Sequence, residues 1–231
     1  MTIAERVREI RARIAEAAAR AGRSPDEVTL VAVSKSVPVE AMQEAYAAGI
    51  RDFGENRAQE ARDKFPAFGD DVRWHFVGRL QTNKVKYIVR HCHLLHSLDR
   101  PALAQEVDRR AARDGRVLPC LLEVNVAGEA TKAGVPPEQV IPFLRQMAQW
   151  PALRVVGLMT VAPATTDPET VRPVFRRLRE LALRAAEELG DVPGVEMRHL
   201  SMGMTDDFEV AVEEGATIVR IGRGIFGERP R

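Results

Sequence analysis

Hydrophobic positions along the chain switch repeatedly between a helical period and short continuous apolar runs. Ile3, Val7, Ile10 and Ile14 recur at helical spacing. Thr2 and Glu5 ahead of them match a capping box, and Gly22 offers a stop. Thr29-Leu30-Val31-Ala32-Val33 then runs apolar or β-branched without a break, as a strand buried on both faces of a parallel sheet does. That run ends in Ser34-Lys35, and Pro38 suits the first turn of a helix marked by Val39, Met42 and Tyr46 as far as Gly49. Further strands are expected at Ile50–Gly54, Arg73–Val77, His93–Ser97, Val117–Val126, Leu153–Met159, Val195–Leu200 and Thr217–Ile221. Helical segments separate them at 57–65, through Val85, Ile88 and Val89, and at 101–112, 137–149, 168–189 and 206–214.

Strands alternating with helices in this number imply an α/β fold, a single (β/α)8 TIM barrel with an extra N-terminal helix. A doubly wound sheet would have fewer strands and a glycine-rich dinucleotide turn after the first. Here that turn holds a lysine. No repeat, low-complexity tract or linker interrupts the chain, so residues 1–231 are expected to form one domain.

Composition narrows the function classes. The 231 residues are 45% hydrophobic and 29% charged, with a net charge of +1, which argues against a nucleic-acid or anionic-membrane footprint. Cys92 and Cys120 have no CxxC spacing, no apolar leader opens the chain, and no run is long enough to span a membrane, so a cytoplasmic protein is expected. His91, Cys92, His93 and His96 crowd together, but no acidic or second cysteine partner lies nearby, and a metal site is not expected.

Chemistry in such barrels sits at the carboxyl ends of the strands. Lysine occurs only at positions 35, 64, 84, 86 and 132, and Lys35 alone closes an interior strand. Partial desolvation there would lower its pKa and free the amine to attack aldehydes and ketones. Alternatively, its stem lies along the rim with its head in water. Ser201-Met202-Gly203 after the seventh strand and Gly222-Arg223-Gly224 after the eighth are small and glycine-containing. They are either ordinary tight turns or a backbone cup for phosphate, which barrels often place there. A phosphate cup facing a carbonyl-reactive lysine describes a site for a phosphorylated aldehyde such as pyridoxal 5′-phosphate. Arg220 interrupts an apolar strand, so it should point into the mouth. It either donates to a pyridine nitrogen, which it would leave unprotonated, or forms a salt bridge with an acid such as Glu123.

Longer motifs resemble one family. Leu30-Val31-Ala32-Val33-Ser34-Lys35, Phe53-Gly54-Glu55-Asn56, the run Trp74 to Lys84 and His96-Ser97-Leu98-Asp99-Arg100 are similar to the pyridoxal phosphate homeostasis proteins. So are Gly157-Leu158-Met159, the run His199 to Asp207 and Val219-Arg220-Ile221-Gly222. The resemblance implies a barrel like the N-terminal barrel of alanine racemase, with pyridoxal 5′-phosphate held as a Schiff base on Lys35. It also implies that Arg220 faces the pyridine nitrogen and that Asn56, Met159 and His199 line the ring. Ser201, Gly222 and the backbone around Arg223 and Gly224 would hold the phosphate, with Met202 also among the cofactor-binding residues. Family members often carry threonine where this chain has Arg223, so a hydroxyl contact is replaced by a guanidinium or lost.

The function implied is intracellular storage, buffering or delivery of the cofactor, with apo enzymes as recipients, a monomeric state and no robust catalysis. A racemase needs a base on each face of the substrate carbon. In the family's racemase the second base comes from a partner subunit and a β-rich domain, and the chain ends at Arg231, a few residues past the eighth strand. A cofactor-free aldolase on the same barrel is the third class. Lys132, in the loop from Gly128 to Gly134, is a candidate to accept the aldehyde transiently.

Overall fold

The structure, a computed structural model, describes residues 1–129 and 131–228. Ala130 of the loop just mentioned, and Arg229 to Arg231 at the end of the expected domain, lie outside the described residues. Eight parallel strands close into a barrel in chain order. They are β1 (Thr29–Val33), β2 (Asp52–Glu55), β3 (Arg73–Phe76), β4 (Cys92–Leu98), β5 (Leu118–Glu123), β6 (Leu153–Met159), β7 (Val195–Ser201) and β8 (Ile218–Ile221). Closure runs through β1 and β8, where Leu30 pairs with Val219 and Val31 with Arg220.

The helices are α1 (Ile3–Arg20), α2 (Val39–Ala47), α3 (Ala58–Lys64), α4 (Val85–Ile88), α5 (Pro101–Arg113), α6 (Val140–Leu144), α7 (Arg172–Leu189), α8 (Phe208–Glu213) and α9 (Arg223–Phe226). The extra helix α1 starts in the expected capping box: Thr2 N–H donates to Glu5 at 2.7 Å, and Glu5 N–H donates to Thr2 Oγ1 at 3.2 Å. Its buried face, Val7, Ile10 and Ile14, packs against α8, α2 and α9. None of the helices among the described residues is long and apolar enough to cross a membrane.

The period-two rule sorts each strand into a helix-facing and a lumen-facing set. Val31, Leu94, Leu121, Val156, Met159 and Ile218 form a separate apolar cluster inside the barrel. The larger core lies between strands and helices. Counting outward from that inner cluster by twos places His96, Glu123 and Arg220 on the lumen side as well.

Boundaries differ from the sequence reading in specific places. Pro38 is the residue that caps α2, one position earlier than a first-turn proline. The segment at 137–149 is broken into α6 and flanking 3-10 turns at Pro137–Gln139 and Met147–Gln149. Pro136, Pro137 and Pro142 have no N–H to offer a continuous ladder. β5 starts after the exposed Val117 and stops at Glu123, because Val124 turns to bridge Val135 instead. β7 continues to Ser201, whose carbonyl accepts from Thr160 N–H at 3.1 Å.

Candidate functional site

Lys35 lies in the turn just past the end of β1, half-buried. Ser34 precedes it with its hydroxyl donating to Glu55 Oε1 at 2.6 Å. Ser36 follows it with its N–H donating to Glu60 Oε1 at 2.5 Å. Lys64 ties the two sides together, since its Nζ donates to Ser34 O at 2.7 Å, Glu55 at 2.8 Å and Glu60 at 2.6 Å. The backbone on both flanks of Lys35 is therefore fixed by charge-assisted hydrogen bonds, buried on the Ser34 side and exposed on the Ser36 side. Burial raises the Glu55 carboxyl pKa against the opposing pull of Lys64 and Ser34.

Lys35 lines a cavity of about 510 Å³ at the carboxyl end of the barrel. Asn56, Arg220, Gly222 and Arg223 line the same cavity, with Val33, Val77 and Val161 as an apolar wall. Five of the ten expected site residues thus meet in one place. The other five do not line it. Met159 belongs to the inner apolar cluster. His199 is half-buried, with Nδ1 3.4 Å from Thr217 Oγ1. Ser201 is fully buried, and its Oγ is engaged by Arg220 and His96. Met202 is also fully buried, and its N–H donates to Ile218 O at 3.1 Å. Gly224 N–H donates to Thr205 Oγ1 at 3.3 Å.

Arg220 is 4% exposed, and among the described residues no carboxylate lies within ion-pair distance of it. Its guanidinium donates to Ser201 Oγ at 2.6 Å and to Thr160 O at 2.9 Å. Glu123 acts on it only at longer range, and burial together with Asp99 pushes that carboxyl up to about 7. Of the two readings of Arg220, the salt bridge is therefore not the one observed. Burial lowers Arg220 to about 10, with Glu123 and Asp207 opposing the shift. A buried guanidinium with donors to spare at a cavity wall fits an acceptor atom of a ligand.

The glycine loops meet on the other side. Gly203 has φ +94, and a Cβ there would come within 2.7 Å of the Ala211 Cβ, so only glycine fits. Arg223 is paired at the cavity rim with Asp206 and, at 3.4 Å, with Glu228, both of which also line the cavity. Thr205 lines the cavity between the loops and carries a hydroxyl there. Neither Thr205 nor Asp206 carries a signal in the sequence beyond the expected helix at 206–214. Asp207 is the N-cap residue of α8, and its carboxylate turns back to accept from Met204 N–H at 2.6 Å. Lys132 Nζ pairs with Glu129 at 2.7 Å and lies 3.4 Å from the carbonyl of Val161, which lines the cavity. The crowded histidines disperse: His91 stacks on Phe65, while His96 points into the barrel toward His75.

The donor set is thus an amine, a buried guanidinium with no ion pair among the described residues, and the loops after β7 and β8 with Thr205 and Gly222, around one cavity. A planar phosphorylated aldehyde with a ring acceptor matches that set. Comparison with known proteins points the same way. The alanine racemase N-terminal domain family matches residues 6–230. The chain is 49% identical to the pyridoxal phosphate homeostasis protein of Aquifex aeolicus over 230 residues, covering 99% of each chain. It is 44% identical to that of Pseudomonas aeruginosa, covering 99% of this chain and 96% of that one. The solved structure of PipY from Synechococcus elongatus with PLP bound aligns at a TM-score of 0.83 and 38% identity, covering 98% of this chain and 100% of that chain.

Proposed function

The chain belongs to the pyridoxal phosphate homeostasis protein family, and from that premise we propose that it holds pyridoxal 5′-phosphate at the barrel mouth and passes it on to other proteins. The observation that carries this reading is the shared cavity of Lys35 and Arg220, an amine and a buried guanidinium at one barrel mouth. When bound, the cofactor supplies an aldehyde for an amine, a ring acceptor and a phosphate.

Lys35 is the residue that would carry the aldehyde carbon covalently, and the pinned turn around it keeps the amine at the cavity wall. Arg220 would donate to the ring nitrogen. An arginine does not give up a proton at neutral pH, so that nitrogen stays unprotonated and the ring withdraws little charge. That property suits storage more than turnover. Backbone N–H groups around Gly222 and the Thr205 hydroxyl would take the phosphate, with Asn56 and Val77 against the ring. Arg223, drawn to Asp206 and Glu228, would act at a distance and not replace the missing hydroxyl. Met159, His199, Ser201 and Met202 would support the wall from behind. The protein would act as a monomer in the cytoplasm, where Cys92 and Cys120, buried and free, stay reduced. Apo enzymes that use the cofactor would be its recipients.

Borohydride reduction of the loaded protein followed by peptide mapping tests the reading. The pyridoxyl group is expected on Lys35, and Lys35→Ala is expected to be colourless. Labelling chiefly at Lys84 or Lys132, with Lys35→Ala still yellow, would overturn it.

A further inference from the structure

Behind Arg220 a line of buried polar side chains crosses the barrel away from the mouth. Arg220 Nη1 donates to Ser201 Oγ at 2.6 Å, and Ser201 Oγ lies 2.9 Å from His96 Nδ1. His96 Nε2 lies 2.9 Å from His75 Nδ1, and His75 Nε2 lies 3.0 Å from Asp52 Oδ1. These residues come from β8, β7, β4, β3 and β2, and each is buried. Asp52, at the start of β2, also accepts from Arg73 Nε at 2.7 Å.

The two ends fix the direction of every bond between them. An arginine can only donate, and an ionised carboxylate can only accept. Burial would raise the Asp52 carboxyl, but hydrogen bonds from His75 and Arg73 outweigh it and hold the pKa at about 2. Ser201 Oγ accepts from Arg220, and its own proton has one acceptor among the described residues, His96 Nδ1. His96 must then carry its proton on Nε2 and donate to His75 Nδ1, which leaves the His75 proton on Nε2 for Asp52.

We propose that Asp52, His75, His96 and Ser201 form a one-way hydrogen-bond relay, with both imidazoles neutral and protonated at Nε2, that positions the Arg220 guanidinium at the cavity. They are positioning residues, acting on a ligand only through Arg220. The ligand in question rests on the carrier reading, whereas the relay itself is a property of the protein alone. A second proton on either imidazole sets donor against donor and strands the Ser201 hydroxyl, a loss that a buried network tolerates poorly. The other titratable groups around the line are His93 on β4, Glu123 on β5, His199 on β7 and Asp207 at the start of α8. Burial, then the neighbouring His75 and Arg220, keeps His96 well below its ordinary value.

Long-range nitrogen-15 NMR of the imidazoles in the cofactor-free protein tests the relay directly. His75 and His96 are expected as Nε2–H tautomers, and the His96 shifts are expected to stay constant from about pH 6 to 8. Protonation of either ring at Nδ1, alone or as the doubly protonated form, would overturn the relay. The positioning role is read from the visible spectrum of protein loaded with pyridoxal 5′-phosphate. His96→Leu is expected to shift the absorbance maximum, and His96→Asn, whose side-chain oxygen can take the place of Nδ1, is expected to restore it. An unchanged spectrum in folded His96→Leu would overturn the positioning role. Failure of the wild type to take up the cofactor would overturn the carrier reading, and the imidazole resonances would still decide the relay.

Discussion

Ser36, next to Lys35, has φ +58, a left-handed conformation that a residue with a side chain occupies at a cost of about 1 kcal/mol. Its N–H is held by Glu60, and Ser34 O by Lys64, so the strain is confined to the turn that presents the amine. Lys64 Nζ lies 2.8 Å from Glu55, and both side chains are buried. Glu55 Oε2 has no hydrogen-bond partner among the described residues, so this carboxylate depends on Lys64. Lys64→Met is expected to destabilise by about 3–5 kcal/mol, the range for leaving a buried charge unpaired, and to slow uptake of the cofactor. Lys64→Met combined with Glu55→Gln should recover most of that stability. Urea unfolding of the three proteins checks it, and a single variant as stable as the wild type would contradict the clamp. Lys35 and Arg220 could be read from sequence because each breaks an apolar run at a strand end. Lys64 could not, because a lysine on a short helix reads as surface until the fold brings Glu55 and Ser34 beneath it.

Strand β6 depends on one glycine. Gly157 has φ +155 where the β6–β7 register shifts, and a Cβ there would collide with the His199 carbonyl oxygen. Gly157→Ala is therefore expected to cost about 3 kcal/mol or more, by forcing apart two strands that carry Met159 and Ser201. A denaturant midpoint equal to the wild type would show that the strands can separate there without loss. Strand order and number could be read from the sequence, since each buried run stands between helical patterns. Several ends could not. The lone Val124–Val135 bridge and the 3-10 turns around α6 depend on tertiary hydrogen bonds and prolines, which periodicity does not register. The inward line from Asp52 to Arg220 escaped for a related reason. Its members lie on five strands, and only barrel closure aligns them.

The whole molecule places its chemistry at one end and braces that end from outside. Ile10 of α1 lies beneath Gly224, where an added Cβ would meet its Cδ1 at 3.2 Å, and Arg6 reaches the carbonyl of Ile225 at 3.5 Å. The first helix thereby supports the last loop of the site. The barrel class and this extra helix followed from the alternating pattern alone, and the cofactor from a lysine facing two glycine loops. Met159, His199, Ser201, Met202 and Gly224 do not line that cavity, and a motif gives a position along a strand and not the side its atoms face. Delivery of the cofactor is the central claim, and mixing loaded protein with an apo enzyme that needs pyridoxal 5′-phosphate tests it most directly. Recovered enzyme activity should rise in proportion to loaded protein, while the protein alone racemises and transaminates no amino acid at a saturable rate. Robust, saturable turnover of an amino acid with no activity restored to the apo enzyme would contradict the account.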